Sequence, residues 1–255
     1  MKSKFLPFEI LFEDRDLIAI DKPAGLLTTH TKLQGRAARE TQPTAENFLN
    51  AYVRKGQSRS SKRVYLVHRL DRETSGVMMF VKDERLAEAI REGWNELTEK
   101  TYVARVEGEI AEEKGVFESY LLEDADGYRV RSVPNGFASC FTRQECRVPS
   151  DVAQQRGRDI PVACKKKGVS TSPKLARTEW KKLSSACGTT EVEVRLKSGR
   201  KNQIRVHFSE AGHPVVGDVK YGAKKADRLY LRSVRLVFTH PFTHRRYEFG
   251  EEGVR

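Results

Sequence analysis

Two short apolar runs, Val64-Tyr65-Leu66-Val67 and Val77-Met78-Met79-Phe80-Val81, bracket a charged segment and set the frame of this chain. Runs of this length without polar alternation predict short buried strands. The nine residues between them are His68-Arg69-Leu70-Asp71-Arg72-Glu73-Thr74-Ser75-Gly76. Five of those side chains can ionise. A connection between buried strands needs no such charge. The loop is therefore the first candidate for chemistry, and the rest of the chain is read as what holds and serves it.

The flanking pattern is strand-rich. Residues 9–12 and 17–21 predict two strands joined by the charged turn Glu13-Asp14-Arg15-Asp16, and Lys22-Pro23-Ala24-Gly25 ends the second. Thr44 is placed to cap a helix over Ala45–Val53, with Phe48, Leu49 and Tyr52 on one face. Residues 54–63 form a Ser- and Arg-rich connector suited to touching phosphates. Leu86, Ile90, Trp94 and Leu97 recur at helical spacing, which predicts a helix over 84–97. Strands are expected over 100–106, 116–122, 191–196, 229–238 and 246–249, and a helix over 200–211 ended by Gly212. From about 124 to 171 no period holds, which predicts a basic surface insertion carrying Lys165-Lys166-Lys167. No repeat and no inter-domain linker is visible. The expectation is one α+β domain over residues 1–255.

Net charge is +12, and its placement is uneven. Residues 127–205 hold 18 Lys and Arg against 6 Asp and Glu, leaving 29 against 29 elsewhere. A solvated basic face explains this about as well as a footprint for a polyanion; among polyanions, nucleic acid fits better than a membrane. Cys140, Cys146, Cys164 and Cys187 lack C-x-x-C spacing, so neither a zinc site nor a disulfide framework is expected. No run has membrane-spanning length and the N-terminus has no long apolar segment, which gives the expectation of a cytoplasmic protein without a membrane partner.

Asp71 has several possible uses: nucleophile, general base, metal ligand or cap. Arg69 and Arg72 would repel a cation, which argues against metal. A carboxylate among arginines stays ionised, because nearby positive charge favours its charged form. On the loop alone, an Arg–Asp pair that only pins a turn explains the charge better. Arg69 and Arg72 could serve phosphates or stack on bases. Thr74, Ser75 and Gly76 have the character of turn formers, and Ser75 lacks a G-x-S-x-G elbow. Tyr102 on one strand and Arg205 on a helix shift the weight. An Asp, an Arg to hold it charged and a Tyr to move a proton make an acid–base set that needs no cofactor.

At this point the chain resembles the RluA branch of RNA pseudouridine synthases. The H-R-L-D-x-x-T-S-G signature is complete over residues 68–76, and the K-x-Y segment stands as Lys100-Thr101-Tyr102. Gly199-Arg200-Lys201-Asn202-Gln203-Ile204-Arg205-Val206-His207 runs on to Gly217-Asp218 and Tyr221-Gly222, and Asp21-Lys22-Pro23-Ala24-Gly25 also matches. The resemblance implies a mixed, mainly antiparallel sheet flanked by helices, with a central cleft in which a uridine of rRNA or tRNA is isomerised without metal or cofactor. It implies Asp71 as the catalytic carboxylate, Arg205 as its partner, and Tyr102 as a pocket wall that helps remove the C5 proton. Arg69 would fill the space of the flipped uridine. His68, Thr74, Ser75 and Ile204 would serve substrate binding. Asn202 stands where the family usually has His, and Leu229-Tyr230-Leu231-Arg232-Ser233 departs from L-x-L-H-A. No separate N-terminal RNA-binding module is expected, and the protein is expected to act as a monomer. The alternatives are a non-catalytic RNA-binding or RNA-folding protein on the same fold, and a glycosidase. The second would want a second acid, for which Glu73 is poorly placed.

Overall fold

The computed structural model describes residues 6–30, 42–55, 57, 60–124, 127–133 and 172–250. Lys165-Lys166-Lys167, Cys140, Cys146, Cys164 and nearly all of the expected insertion lie outside the described residues.

The two apolar runs pair with each other. The first forms only β3 (Tyr65–Leu66), which lies antiparallel to the end of β4 (Ser75–Val81). The second fills β4, buried along nearly its whole length. Its other neighbour is β2 (Leu17–Lys22), itself paired with β1 (Glu9–Glu13). Both faces of β2 and β4 are covered, so neither needs polar alternation.

The remaining strands are β5 (Thr98–Glu107), β6 (Lys114–Glu123), β7 (Val130–Val133), β8 (Lys174–Ala186), β9 (Thr189–Leu196), β10 (Leu231–Thr239) and β11 (Arg246–Gly250). They join one sheet in the order β1-β2-β4-β10-β5-β9-β8-β6-β7, with β11 on β10 and β3 on β4. Its ladders are antiparallel except where β10 meets β4 in parallel, at Arg232–Ser75 and Ser233–Gly76. Gly76 makes that seam possible. A Cβ there would stand 2.0 Å from the Ser233 carbonyl oxygen, and φ is +111°.

Helices cover both faces. On one, Leu49 of α1 (Ala45–Val53) and Phe208 of α4 (Gln203–Glu210) join a core with Ile18, Ile20, Met78, Phe80 and Tyr102. On the other, Leu86 and Ile90 of α2 (Glu84–Glu92) pack with Leu17, Ala19, Met79, Val81 and Phe238. Thr44 caps α1 as expected, its hydroxyl accepting from the Asn47 N–H at 3.1 Å. The helix expected over 84–97 is broken. Gly93 caps α2, and a single turn, α3 (Trp94–Leu97), follows. The later helix starts at Gln203 rather than residue 200, because Asn202 has left-handed backbone with φ +53°. The preceding turn is closed instead by the Gln203 side-chain oxygen, which accepts from the Ser198 hydroxyl at 2.9 Å and the Arg200 N–H at 3.0 Å.

Candidate active site

The loop before β4 is held from several sides. Lys22, fully buried at the end of β2, donates from Nζ to the carbonyls of Pro23 at 2.9 Å, Leu26 at 2.8 Å and Arg72 at 3.1 Å. Burial lowers its pKa to about 8, and the charges of Glu73 and Asp71 oppose that shift. The Thr28 hydroxyl donates to the Leu70 carbonyl at 2.8 Å and accepts from the Leu70 N–H at 3.3 Å. The Thr74 N–H closes on the Asp71 carbonyl at 3.1 Å. With its backbone tied down on both sides, Asp71 has a side chain 23% exposed, facing a cleft.

The cleft encloses about 610 Å³ and is walled by residues 69–72, 199–205, Thr28, Tyr102 and Leu231, among others. That volume suits a small-molecule-sized group such as a nucleoside. Arg205 enters from the first turn of α4. Fully buried Asp218 grips it with two hydrogen bonds, from Nε at 2.6 Å and Nη2 at 2.7 Å. Nη1 donates to Asn202 Oδ1 at 3.2 Å and lies 3.9 Å from Asp71 Oδ2. The guanidinium also lies over the Tyr221 ring, 5.2 Å from its centroid. Asp218 therefore fixes Arg205, and Arg205 presents its remaining edge to Asp71. Asn202 does two jobs at a position where the resemblance departs, since Nδ2 also donates to the Tyr221 hydroxyl at 3.0 Å. At the other departure, Arg232 forms a paired contact with Asp21 at 2.9 and 3.0 Å.

Tyr102 is buried in the cleft wall. Burial first, and the charge of Asp71 second, push its hydroxyl well above the usual tyrosine range, so it keeps its proton at neutral pH. Thr74 and Ile204 are buried and also line the cleft. Arg69 lies exposed on its rim and forms no ion pair among the described residues.

Two expected binding residues are elsewhere. His68 turns inward. Its Nε2 accepts from the Met79 N–H at 2.9 Å, and its ring stacks on Trp94 with centroids 4.6 Å apart. Burial, then the charge of Lys100, lower its pKa to about 3, so its ring is neutral near pH 7 and accepts from the backbone. Ser75 begins β4, where alternation sends it away from Thr74 and into a different groove, beside Arg228 and Arg232. The sequence reading gave no role to Lys22, Thr28 or Asp218. A lysine ending an apolar strand, as in Leu17-Ile18-Ala19-Ile20-Asp21-Lys22, was the available signal for the first.

With this geometry in place, the profile of the family described as RNA pseudouridylate synthase matches residues 16–210. The chain belongs to that family. It is 30% identical over 241 residues to a dual-specificity RNA pseudouridine synthase RluA of Vibrio parahaemolyticus, covering 92% of this chain and 79% of that one. It is 30% identical over 246 residues to a tRNA pseudouridine synthase C of Vibrio cholerae, covering 92% and 86%. Among solved structures, human RNA pseudouridylate synthase domain containing 4 matches with a TM-score of 0.66 at 22% identity, over 96% of this chain and 88% of that one, a likeness of fold. The chain is an RNA pseudouridine synthase, an enzyme that isomerises uridine in RNA. Reading it as a protein that only binds RNA is not favoured.

Proposed function

We propose that Asp71 is the catalytic carboxylate of this synthase and that Arg205 and Tyr102 complete its site. The observation that carries the reading is the aim of Arg205. Asp218 occupies two of its nitrogens, and the third, which donates to Asn202 Oδ1 at 3.2 Å, lies 3.9 Å from Asp71. Binding RNA alone would require no carboxylate held in that way.

A stacked uridine hides both its ribose bond and its C5, so the target must leave the stack to reach the cleft. Arg69, on the rim and free of an ion pair among the described residues, would take the vacated space. Asp71 then serves the ribose–uracil exchange. The N1–C1′ bond breaks, the uracil turns within the cleft, C5 bonds to C1′, and the C5 hydrogen leaves as N1 gains one. Because Tyr102 keeps its proton, it can accept the C5 hydrogen only if it passes its own proton on, and Asp71 is the nearby acceptor whose charge it feels. Thr74 and Ile204 shape the wall.

The name of the Vibrio cholerae relative makes transfer RNA the first substrate to test, with ribosomal RNA next. Action as a monomer in the cytoplasm belongs to the same proposal, RNA being the substrate of the relatives as named. Among the described residues no helix is long and apolar enough to cross a membrane.

Asp71→Asn is expected to fold and bind RNA as the wild type does while losing isomerisation by on the order of 10⁴-fold. Mapping pseudouridines in total RNA from cells with the wild type, the variant or neither reads the target and the role together. Modification by Asp71→Asn at the wild-type rate would overturn the assignment.

A further inference from the structure

We propose that Asn202 is a positioning residue for the isomerisation, its side chain fixing the tilt and distance at which the Arg205 guanidinium faces Asp71. The inference rests on the reading of Asp71 as the catalytic carboxylate.

Asn202 has the place of a helix cap without the function of one. It stands just before Gln203 at the start of α4, where a capping asparagine ordinarily accepts from a backbone N–H two or three residues on. Its side chain makes no such bond. It is 6% exposed, lines the cleft, and has both ends of its amide in use. An arginine only donates, so the Asn202 atom facing Nη1 at 3.2 Å is the oxygen, and the NH2 group is turned to the Tyr221 hydroxyl at 3.0 Å. That hydroxyl also accepts from the Val130 N–H of β7 at 3.1 Å, so the amide is anchored from behind. The backbone of Asn202, at φ +53°, is one that asparagine tolerates better than most residues.

The contact matters because of what Asp218 leaves free. Two bonds from one carboxylate, to Nε and Nη2, define a line about which the guanidinium can still rock. Nη1 lies off that line and would swing most. The Tyr221 ring, with its centroid 5.2 Å from the guanidinium carbon, bounds the motion on one side. The same turn carries both residues, since the Tyr221 N–H bonds the Asp218 carbonyl at 3.0 Å. Asn202 supplies the third point that sets the plane. It takes one of the two hydrogens on Nη1 and holds that nitrogen 3.9 Å from Asp71 Oδ2, beyond hydrogen-bond length. Without the amide, Nη1 is free to close on Asp71 as a shorter, direct pair, and that pair would occupy an oxygen the substrate needs.

The test is single-turnover isomerisation of a transfer RNA transcript that the wild-type enzyme modifies, with RNA affinity read beside it. Asn202→Gly removes the amide and leaves the backbone unstrained, since glycine adopts positive φ freely. It is expected to slow the reaction at saturating RNA by roughly 10- to 10²-fold, with the affinity for the transcript unchanged. Tyr221→Phe keeps the ring, removes the hydroxyl that anchors the amide, and should slow the reaction several-fold. The double variant should match Asn202→Gly to within about twofold, because the hydroxyl acts through the amide. A wild-type rate in Asn202→Gly overturns the proposal. So does a loss seen only as weaker RNA binding at an unchanged saturated rate, which would make Asn202 a binding residue. Rate losses that multiply in the double variant also overturn it. Asp71→Asn, assayed alongside, separates the two readings. An inactive Asp71→Asn beside a fully active Asn202→Gly sinks this inference alone. An active Asp71→Asn sinks the reading of Asp71, and this inference with it.

Discussion

Asp218 takes two nitrogens of Arg205 and is itself wholly out of water, so this pair cannot be half removed cheaply. Cutting back Asp218 leaves a guanidinium that is 9% exposed with Asp71 at 3.9 Å as its remaining carboxylate. Asp218→Ala is expected to lower stability by about 3–5 kcal/mol, measured by denaturant melts. A loss under ~1 kcal/mol, the worth of an exposed pair, would show that the grip is loose in solution. Arg205→Lys should fold but lose activity by roughly 10²-fold or more, because an ammonium cannot hold Asp218 with two bonds and still face Asp71; single-turnover rates read this separately from RNA affinity. At this scale the motif residues Asp71, Tyr102 and Arg205 were legible in the chain, and they do meet in one cleft. His68 and Ser75 do not line that cleft, and for a physical reason. A motif gives positions along the chain, while the side that Ser75 faces is set by strand register and the His68 ring is drawn to the Met79 N–H and Trp94. Lys22 escaped notice because a lysine is read as surface until a strand end and three carbonyls are seen to enclose it.

The elements divide by how local their causes are. The Thr44 cap and the buried β4 follow from nearby residues, and both were legible. Thr44→Ala should cost about 1 kcal/mol, and its failure to lower the melting temperature would remove the cap from the account. The break at Gly93 was missed because apolar spacing carries across it, whereas the backbone turn does not. The seam between β4 and β10 was invisible for a different reason, since it joins residues far apart in sequence. Gly76, already read as a turn former, turns out to be needed for contact. Gly76→Ala would bring a methyl to 2.0 Å from the Ser233 carbonyl oxygen, which no side-chain movement relieves. A loss of about 4 kcal/mol or more is expected. A variant as stable as the wild type would mean that the two strands can part without harm.

Across the whole molecule, two histidines, buried His207 and half-buried His68, couple stability to pH. His68 is pulled from 6.5 to about 3 by burial and by Lys100. His207 is pulled from 6.5 to about 4 by burial, against the charge of Glu210. Its ring nitrogens meet the hydroxyls of Thr178 at 2.8 Å and Ser119 at 3.0 Å. Both folded values lie below the unfolded one, so the unfolded chain takes up protons first. Their contribution is complete above about 6.5 and is lost as pH falls toward 4 and then 3. The melting temperature should therefore drop across that window, and less steeply in His68→Gln, which keeps an acceptor for the Met79 N–H. Equal slopes would show that His68 is not held neutral.

The edge of the sheet has one more consequence. Val133 of β7 and Leu175 of β8 both sit opposite Tyr120 of β6, on its two sides. Two strand spacings put them about 10 Å apart. The chain thus departs and returns at nearly the same place, at the end of the sheet farthest from β1 and β2, where Glu123 and Gly127 beside it line the cleft. Some eight Gly and Ser residues, enough to arch over β6, could replace residues 134–171 without stretching the frame. Such a shortened enzyme would be a smaller protein that keeps every described residue of the cleft. The difference in RNA grip between the two lengths would then be a direct reading of what the excised stretch brings.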